Sequence, residues 1–392
     1  MSGFLHHTAA AARREIGRIA DLRMYRVLLF YLPLVAFGFF ALFFSKGVAR
    51  NIPIAVVDND RTALSRKLID MIDAAPTPYV AYSAQSMAEG ERLMREGAIM
   101  AVVLIPADFE KKVLGNVPAP VETYITGTNL TVNGLLSKEI QTVATTFSAG
   151  VQLQLFTARG MAEEEAMAQI LPVRFDRHIL FNPYINYGYY LAPSFMPMML
   201  LILTVLVSVF AVGTELKYGT AREWLHCGGG SMAAALTGKL LPVTAILVLQ
   251  AFVMLFILIG IVGVPLNGSF TVMAIGTLCF LLGYQSLAVL IVALMANMRL
   301  ALSLGGGYSV LAFTFSGLTF PVMAMWTPMR WLSRCFPFTY YTDLFIDQML
   351  RGAPVVCSLP NLGYMSLFAV LPMLVLPRLR RVCTDPNYWG RG

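Results

Sequence analysis

The chain has 392 residues, of which 57% are hydrophobic and only 13% charged, with a mean hydropathy of +0.67. Soluble domains carry roughly a quarter charged residues, so a wholly water-soluble fold is excluded and an integral membrane protein with one polar insertion is expected. The net charge of +7 reads as basic flanks of membrane spans and not as a nucleic-acid surface. Residues 1–26 hold Arg13, Arg14, Arg18, Arg23 and Arg26, interleaved with Ile16, Ile19, Leu22 and Tyr25. This pattern predicts a basic amphipathic helix on the inner membrane surface; a plain positive-inside anchor is the alternative. Residues 27–45 form the first span. Its apolar core exceeds the ~7–15 residues of a signal-peptide core, and Gly47-Val48-Ala49 beside Lys46 is a poor cleavage site. An uncleaved anchor is expected.

Between residues 46 and 188 the long apolar runs vanish and charge rises. The insertion matches one ordinary domain in size. Apolar runs at 52–58, 80–82, 99–105 and 121–125 predict strands. Asp60 is placed to cap a helix carrying Leu64, Leu68 and Ile72. Ser86 and Glu89 have the spacing of a capping box. Leu136, Ile140, Val143, Phe147 and Val151 recur at helical spacing, in a helix extending towards Ala168. Mixed strands and helices argue for a small α/β domain. Asp58, Asp60 and Asp70 read as turn and capping residues in preference to a metal or catalytic group.

Phe181-Asn182-Pro183-Tyr184 with Tyr187, Tyr189 and Tyr190 marks a membrane interface. Further spans are expected at 191–212, 240–264, 270–296, 300–325 and 359–376. Residues 326–357 are too polar to span and read as short helices at the outer interface. The basic residues set the orientation. Arg13, Arg14, Arg18, Arg23, Arg26, Lys217, Arg222, Lys239, Arg299, Arg378, Arg380, Arg381 and Arg391 fall on one side. Only Arg330, Arg334 and Arg351 fall in short segments on the other, and a long insertion is exempt from the count. The fold class is therefore an α-helical membrane protein with six transmembrane helices, both termini cytosolic, plus an inserted extracytoplasmic α/β domain.

The chemistry that is missing is informative. Gly238-Lys239 is not a phosphate-binding loop, because Ala233 stands where the first glycine is needed and Leu240 where the metal-binding hydroxyl is needed. The five Cys and four His make no metal pattern. The spans as drawn contain no ionisable residue, which argues against an ion-coupled transporter. Gln250, Gln285, Asn297, Ser303 and Thr314 are the polar candidates for lining a path, or for plain interhelical hydrogen bonds. Cys335 and Cys357 fall together outside and are candidates for a disulfide. Two unrelated thiols are the alternative.

The cytosolic segment 213–239 carries Glu215, Lys217, Gly219, Thr220, Arg222, Glu223, Trp224 and Leu225, followed by Gly238-Lys239-Leu240-Leu241-Pro242. Glu215 and Glu223 are eight apart and can share a helical face; Trp224 and Leu225 offer an apolar anchor. This segment resembles the coupling loop of ABC-2 type permeases, the membrane subunits of ABC exporters. The insertion is similar to that family's extracytoplasmic domain at Val56-Val57-Asp58-Asn59-Asp60, Ala101–Pro106 and Thr126-Gly127-Thr128-Asn129. Cys227-Gly228-Gly229-Gly230-Ser231 departs from the family pattern, and three glycines predict a flexible turn. The resemblance implies a dimer of permeases with two ATP-binding cassette subunits that hold ATP and magnesium, so this chain binds no cofactor. It also implies a bacterial inner-membrane location and a periplasmic adaptor as a further candidate partner. An apolar or amphipathic cargo suits a path without fixed charge. A secondary transporter or channel, and a membrane-anchored receptor or assembly factor, are the alternatives.

Overall fold

A computed structural model describes residues 2–44, 47–170, 180–182, 186–318 and 320–390. The predicted Pro183, Tyr184 and Arg391 lie outside the described residues. The chain divides into two compact units, one from residues 1–47 and 179–392, the other from residues 48–178.

In the first unit, helix α1 (Ser2–Asp21) ends at Leu22, whose ψ of 112° leaves the helical region. The expected single helix to residue 26 is therefore broken there. The membrane helix α2 (Arg23–Phe43) follows, with a π-helical segment at Val27–Tyr31.

The second unit contains β1 (Ile52–Asp58), α3 (Ala63–Asp73), β2 (Pro78–Ser83), α4 (Met87–Arg95), β3 (Ala101–Ile105), α5 (Phe109–Leu114), β4 (Glu122–Ile125), α6 (Leu130–Ala158) and α7 (Glu163–Ile170). The sheet order is β2-β1-β3-β4, with β1 parallel to β2 and β3, and β4 antiparallel to β3. Alternation splits the core. Ile54 and Val56 pack with Leu68, Ile72, Leu136, Ile140 and Phe147, while Ala55, Val57 and Val102 face Met87, Leu93 and Met94. This is the α/β layering that the apolar runs predict. Two details differ from the sequence reading. Thr62, not Asp60, caps α3, accepting from the Ser65 amide. Asp60 instead accepts from the Phe109 and Glu110 amides at 2.9 and 3.0 Å, tying β1 to the start of α5. Burial works to raise its pKa, but these donors and Thr62 together hold its carboxylate below the ordinary range. The long helix also stops early, at Ala158, because Gly160 adopts φ +86° before α7 begins.

The first unit resumes with α8 (Tyr187–Lys217), α9 (Ala221–Cys227), α10 (Met232–Phe256, continued by a π segment to Ile261), α11 (Phe270–Met295), α12 (Met298–Thr314), α13 (Thr327–Ser333), α14 (Pro337–Phe345), α15 (Val355–Ala369) and α16 (Leu371–Thr384). Among the described residues five helices are long and apolar enough to cross a membrane: Arg23–Phe43, Gly188–Lys217, Met232–Ile261, Phe270–Met295 and Val355–Thr384, the last combining α15 and α16. Helix α8 is buried along most of its length, unlike the largely outward-facing Arg23–Phe43 and Val355–Thr384.

The expected fifth span, at residues 300–325, is shorter than its apolar run. Helix α12 has 17 residues and ends at Thr314, with Gly317 at φ +93° just beyond. It reaches about 25 Å, against a hydrocarbon thickness of ~30 Å. It nonetheless packs against α8: a Cβ at Gly305 would come 2.7 Å from Val205. The third expected span starts eight residues early, at Met232 instead of 240, so Lys239 is part of its helix and not of a loop. At the opposite end of the bundle, fully buried Gln348 accepts from the Ser269 amide at 2.8 Å and donates to Ser358 at 2.9 Å. That joins the start of α11 to α15.

Candidate coupling site

Helix α1 lies against α10, and one glycine sets how close they come. A Cβ at Gly238 would collide with the Thr8 carbonyl oxygen and come 2.6 Å from Ala11 Cβ. The inward face of α1 is Thr8, Ala11, Glu15 and Ile19, all buried and spaced at three or four. The close approach brings Glu15 to Lys239.

The result is a buried ionic cluster. The end of α8 supplies Glu215, fully buried. Arg14 grips its carboxylate with two nitrogens, at 2.6 and 3.1 Å. Arg18 pairs with the same carboxylate and donates to Thr214 Oγ1 at 2.7 Å. Lys239 Nζ donates to Glu215 Oε1 at 2.7 Å and also to Glu15. The Tyr25 hydroxyl donates to Glu15, and the Thr220 hydroxyl to Glu215. Burial pulls the Arg18 guanidinium below its ordinary range, and Glu15 opposes that. Two carboxylates and three cations thus satisfy one another out of water, which a buried charge requires. The cluster joins α1, α8, the turn after α8 and α10 at a single point.

Helix α9 lies beside it. Gly219, at φ +71°, turns the chain between α8 and α9. Glu215 and Glu223 are therefore on separate helices, not on one helical face as their spacing suggests. They still share a partner, because Arg14 Nη2 is 3.9 Å from the exposed Glu223 carboxylate. Trp224 and Leu225, expected to anchor a partner, are turned into the chain's own core. Trp224 Nε1 donates to the Ala235 carbonyl at 3.0 Å, and its ring lies 5.1 Å from Lys239 Nζ. Arg222 donates to the Thr384 carbonyl at 3.0 and 3.3 Å and covers the Trp389 ring at 5.1 Å. Lys217 lies 5.7 Å from the Tyr218 ring centre.

What remains outward is a compact face of Tyr218, Arg222, Glu223 and His226. Beside it His7, Leu225, Gly229 and Gly230 border a cleft of ≈ 570 Å³. The glycine turn is specified, not merely flexible as its sequence suggests. Gly229 has φ +62°, and any Cβ there would strike the His7 ring at 2.5 Å.

The candidate path residues scatter. Gln250 donates to the Leu29 carbonyl in the π segment of α2. Gln285 accepts from Thr244 at 2.8 Å. Asn297 caps α12, accepting from the Leu300 amide at 3.1 Å. Ser303 and Thr314 lie on the exposed side of α12, where Thr314 donates to the Val310 carbonyl at 3.0 Å. Among the described residues Gln250, Gln285, Asn297 and Thr314 bond to separate partners, and none of these bonds joins two of the five. Cys335 and Cys357 are both free and exposed, so the candidate bridge is not formed and the alternative of two unrelated thiols is the one present. Cys335 follows α13 with its thiol 3.6 Å from the Trp331 carbonyl, whereas Cys357 lies in the first turn of α15, beyond the left-handed turn at Gly352.

The sequence reading missed Arg14, Glu15, Arg18 and Tyr25 as partners of the loop. One signal was present: Glu15 sits four residues from both Ala11 and Ile19, an acid on the small apolar stripe of an otherwise basic helix. Among known proteins, the family profile described as ABC-2 family transporter protein matches residues 23–376. No curated protein matches the chain.

Proposed function

The chain belongs to the ABC-2 transporter family, a multi-pass membrane component of ABC transporters that works with an ATP-binding cassette subunit, and from that premise we propose that it is the permease of an ATP-driven exporter. The cargo is an apolar or amphipathic small molecule or lipid-like molecule, moved outward from the cytoplasm or the inner leaflet of a bacterial inner membrane. Helix α12 makes the sixth crossing, both termini are cytosolic, and the α/β unit is extracytoplasmic. A second permease completes the membrane pore, and a periplasmic adaptor is a further candidate partner. ATP and magnesium reside on the cassette subunit.

The observation that carries this reading is the buried cluster of Glu15, Arg14, Arg18, Glu215 and Lys239 beside the exposed face of α9. A push on α9 reaches α8 and α10 without slack, because charges held in low dielectric resist separation. The outward Arg222, Glu223 and His226 are the contact residues for the cassette subunit. Glu215, Lys239, Trp224 and Leu225 transmit its motion, and Gly219, Thr220 and Gly238 shape the turn and the close approach. Lys239, within the helix Met232–Ile261, has its charge balanced by Glu15 and Glu215 in this cluster, so it serves coupling and not ion transport.

Co-reconstitution tests the proposal. Vesicles holding the permease and its cassette subunit should move an apolar cargo only when both proteins and hydrolysable ATP are present. Transport by the permease alone under an ion gradient would replace this reading with a secondary transporter.

A further inference from the structure

A separate hollow lies among α10, α11 and α16. Leu240, Leu241 and Thr244, with Leu282, Gln285 and Met373, line a space of ≈ 320 Å³. Small-molecule pockets run from ~300 to 1,000 Å³. Its rim residues Leu241 and Met373 are 56% and 69% exposed. Both lie on helices long and apolar enough to cross a bilayer, which in the proposed topology turns the opening towards hydrocarbon.

Gln285 gives this hollow a chemistry. The residue is 1% exposed, and its Nε2 has no partner among the described residues. Its Oε1 accepts from Thr244 Oγ1 at 2.8 Å, while the same hydroxyl also donates to the Leu240 carbonyl at 2.8 Å. A hydroxyl has one hydrogen to give. With the amide turned over, one N–H would serve Thr244 and the second would stay unused. Either way a donor is left unmet on an apolar wall, where leaving it unmade is costly. The neighbouring Ser286 hydroxyl is already spent on the Leu282 and Ala369 carbonyls.

Depth selects the occupant. Arg378 donates to the Ala293 carbonyl at 2.9 Å, marking the basic boundary of α11. Gln285 lies roughly 12 Å deeper along that helix. A glycerolipid keeps its ester oxygens near the interface, so an acceptor at this depth belongs to a molecule dissolved in the hydrocarbon. No charged residue lines the wall to hold an ion.

We propose that the hollow of α10, α11 and α16 is a binding site for an apolar molecule bearing a neutral carbonyl or ether oxygen, taken from the bilayer and held by the Gln285 amide. It deepens the export reading by naming a cargo class, and rests on that reading only in calling the occupant cargo. The full chain in nanodiscs, without ATP, is photolabelled with 4-octylbenzophenone, whose ketone is the acceptor. Labelled peptides should come from α10, α11 or α16. Undecan-2-one should compete at about fivefold lower concentration than undecane, the size of one net hydrogen bond. Gln285→Leu should erase that difference, and Met373→Trp, at the exposed rim, should abolish labelling. Equal competition by ketone and alkane, or labelling that survives Met373→Trp, overturns the site. If Gln285→Leu does not fold, those two results decide alone. A phospholipid retained in native mass spectrometry that the ketone does not displace overturns the cargo assignment in favour of a structural lipid. Because no ATP is involved, each of these failures leaves the coupling account standing.

Discussion

Lys239 Nζ lies 2.7 Å from Glu215 Oε1, with the two side chains 1% and 0% exposed. The pair closes a network whose other charged members, Arg14, Glu15 and Arg18, come from α1, with Arg14 201 residues before Glu215. Removing one member strands the rest. Glu215→Gln should leave Arg14, Arg18 and Lys239 with Glu15 as their one buried carboxylate and destabilise the permease by about 3–5 kcal/mol. Glu223→Gln, at a side chain 75% exposed, should stay within about 0.5 kcal/mol of wild type. Denaturation of the two variants in the same detergent checks the contrast.

Gly238 predicts a separable effect. Gly238→Val puts a branched side chain where even a Cβ would meet Ala11 at 2.6 Å. Helix α1 should lift from α10 while the membrane helices stay folded. Trypsin should then cut at Arg14 and Arg18, both largely protected in the wild type at 21% and 16% exposure. An unchanged digestion pattern would count against the close packing.

Orientation can be read with thiols. In a background without native cysteines, Lys111→Cys on the α/β unit should react with an impermeant maleimide in intact cells. Ser231→Cys, at the glycine turn, should react only after the membrane is opened. The reverse pattern would invert the proposed topology.

Asp343 supplies a modest pH signature. Desolvation by its neighbours first, and then Asp347, raise its carboxyl to about 6, with Arg351 opposing; the side chain is nevertheless exposed, so solvent screens much of the effect on stability. An unfolded Asp titrates near ~3.9. Between those values the folded state holds the proton more tightly, so this residue's contribution falls as pH rises from about 4 to 6. Asp343→Asn should flatten that part of the stability profile. A profile unchanged by the substitution would show that Asp343 is not its source.

Much of the fold was legible from the sequence because it rests on local pattern. Ile52–Asp58 and Ala101–Ile105 are apolar runs bounded by turn residues, and they form the two central strands. The apolar stretches after Gly188 likewise mark the spans. Two of the misreadings have one physical origin: a residue reads as water-facing until its partner is known. Lys239 looked like loop, yet it sits within a helix because Glu15 and Glu215 neutralise it. Trp224 looked like a docking anchor because nothing in the sequence shows Ala235 and Lys239 waiting for it. Helix α12 stops short of its apolar run because the chain turns through Gly317, and hydropathy carries no record of backbone dihedrals.

If the outward face of α9 receives the cassette subunit, loss of that face must release it. The direct test is to purify the tagged permease from its native membrane and photolabel the complex with 8-azido-ATP. Wild-type permease should retain a second, labelled polypeptide. Glu223→Lys should lose it while its own thermal stability and its α1 protection stay unchanged. An azido-ATP-labelled partner retained equally by Glu223→Lys, and by a Glu223→Lys/His226→Glu double variant, would contradict the assignment of this face.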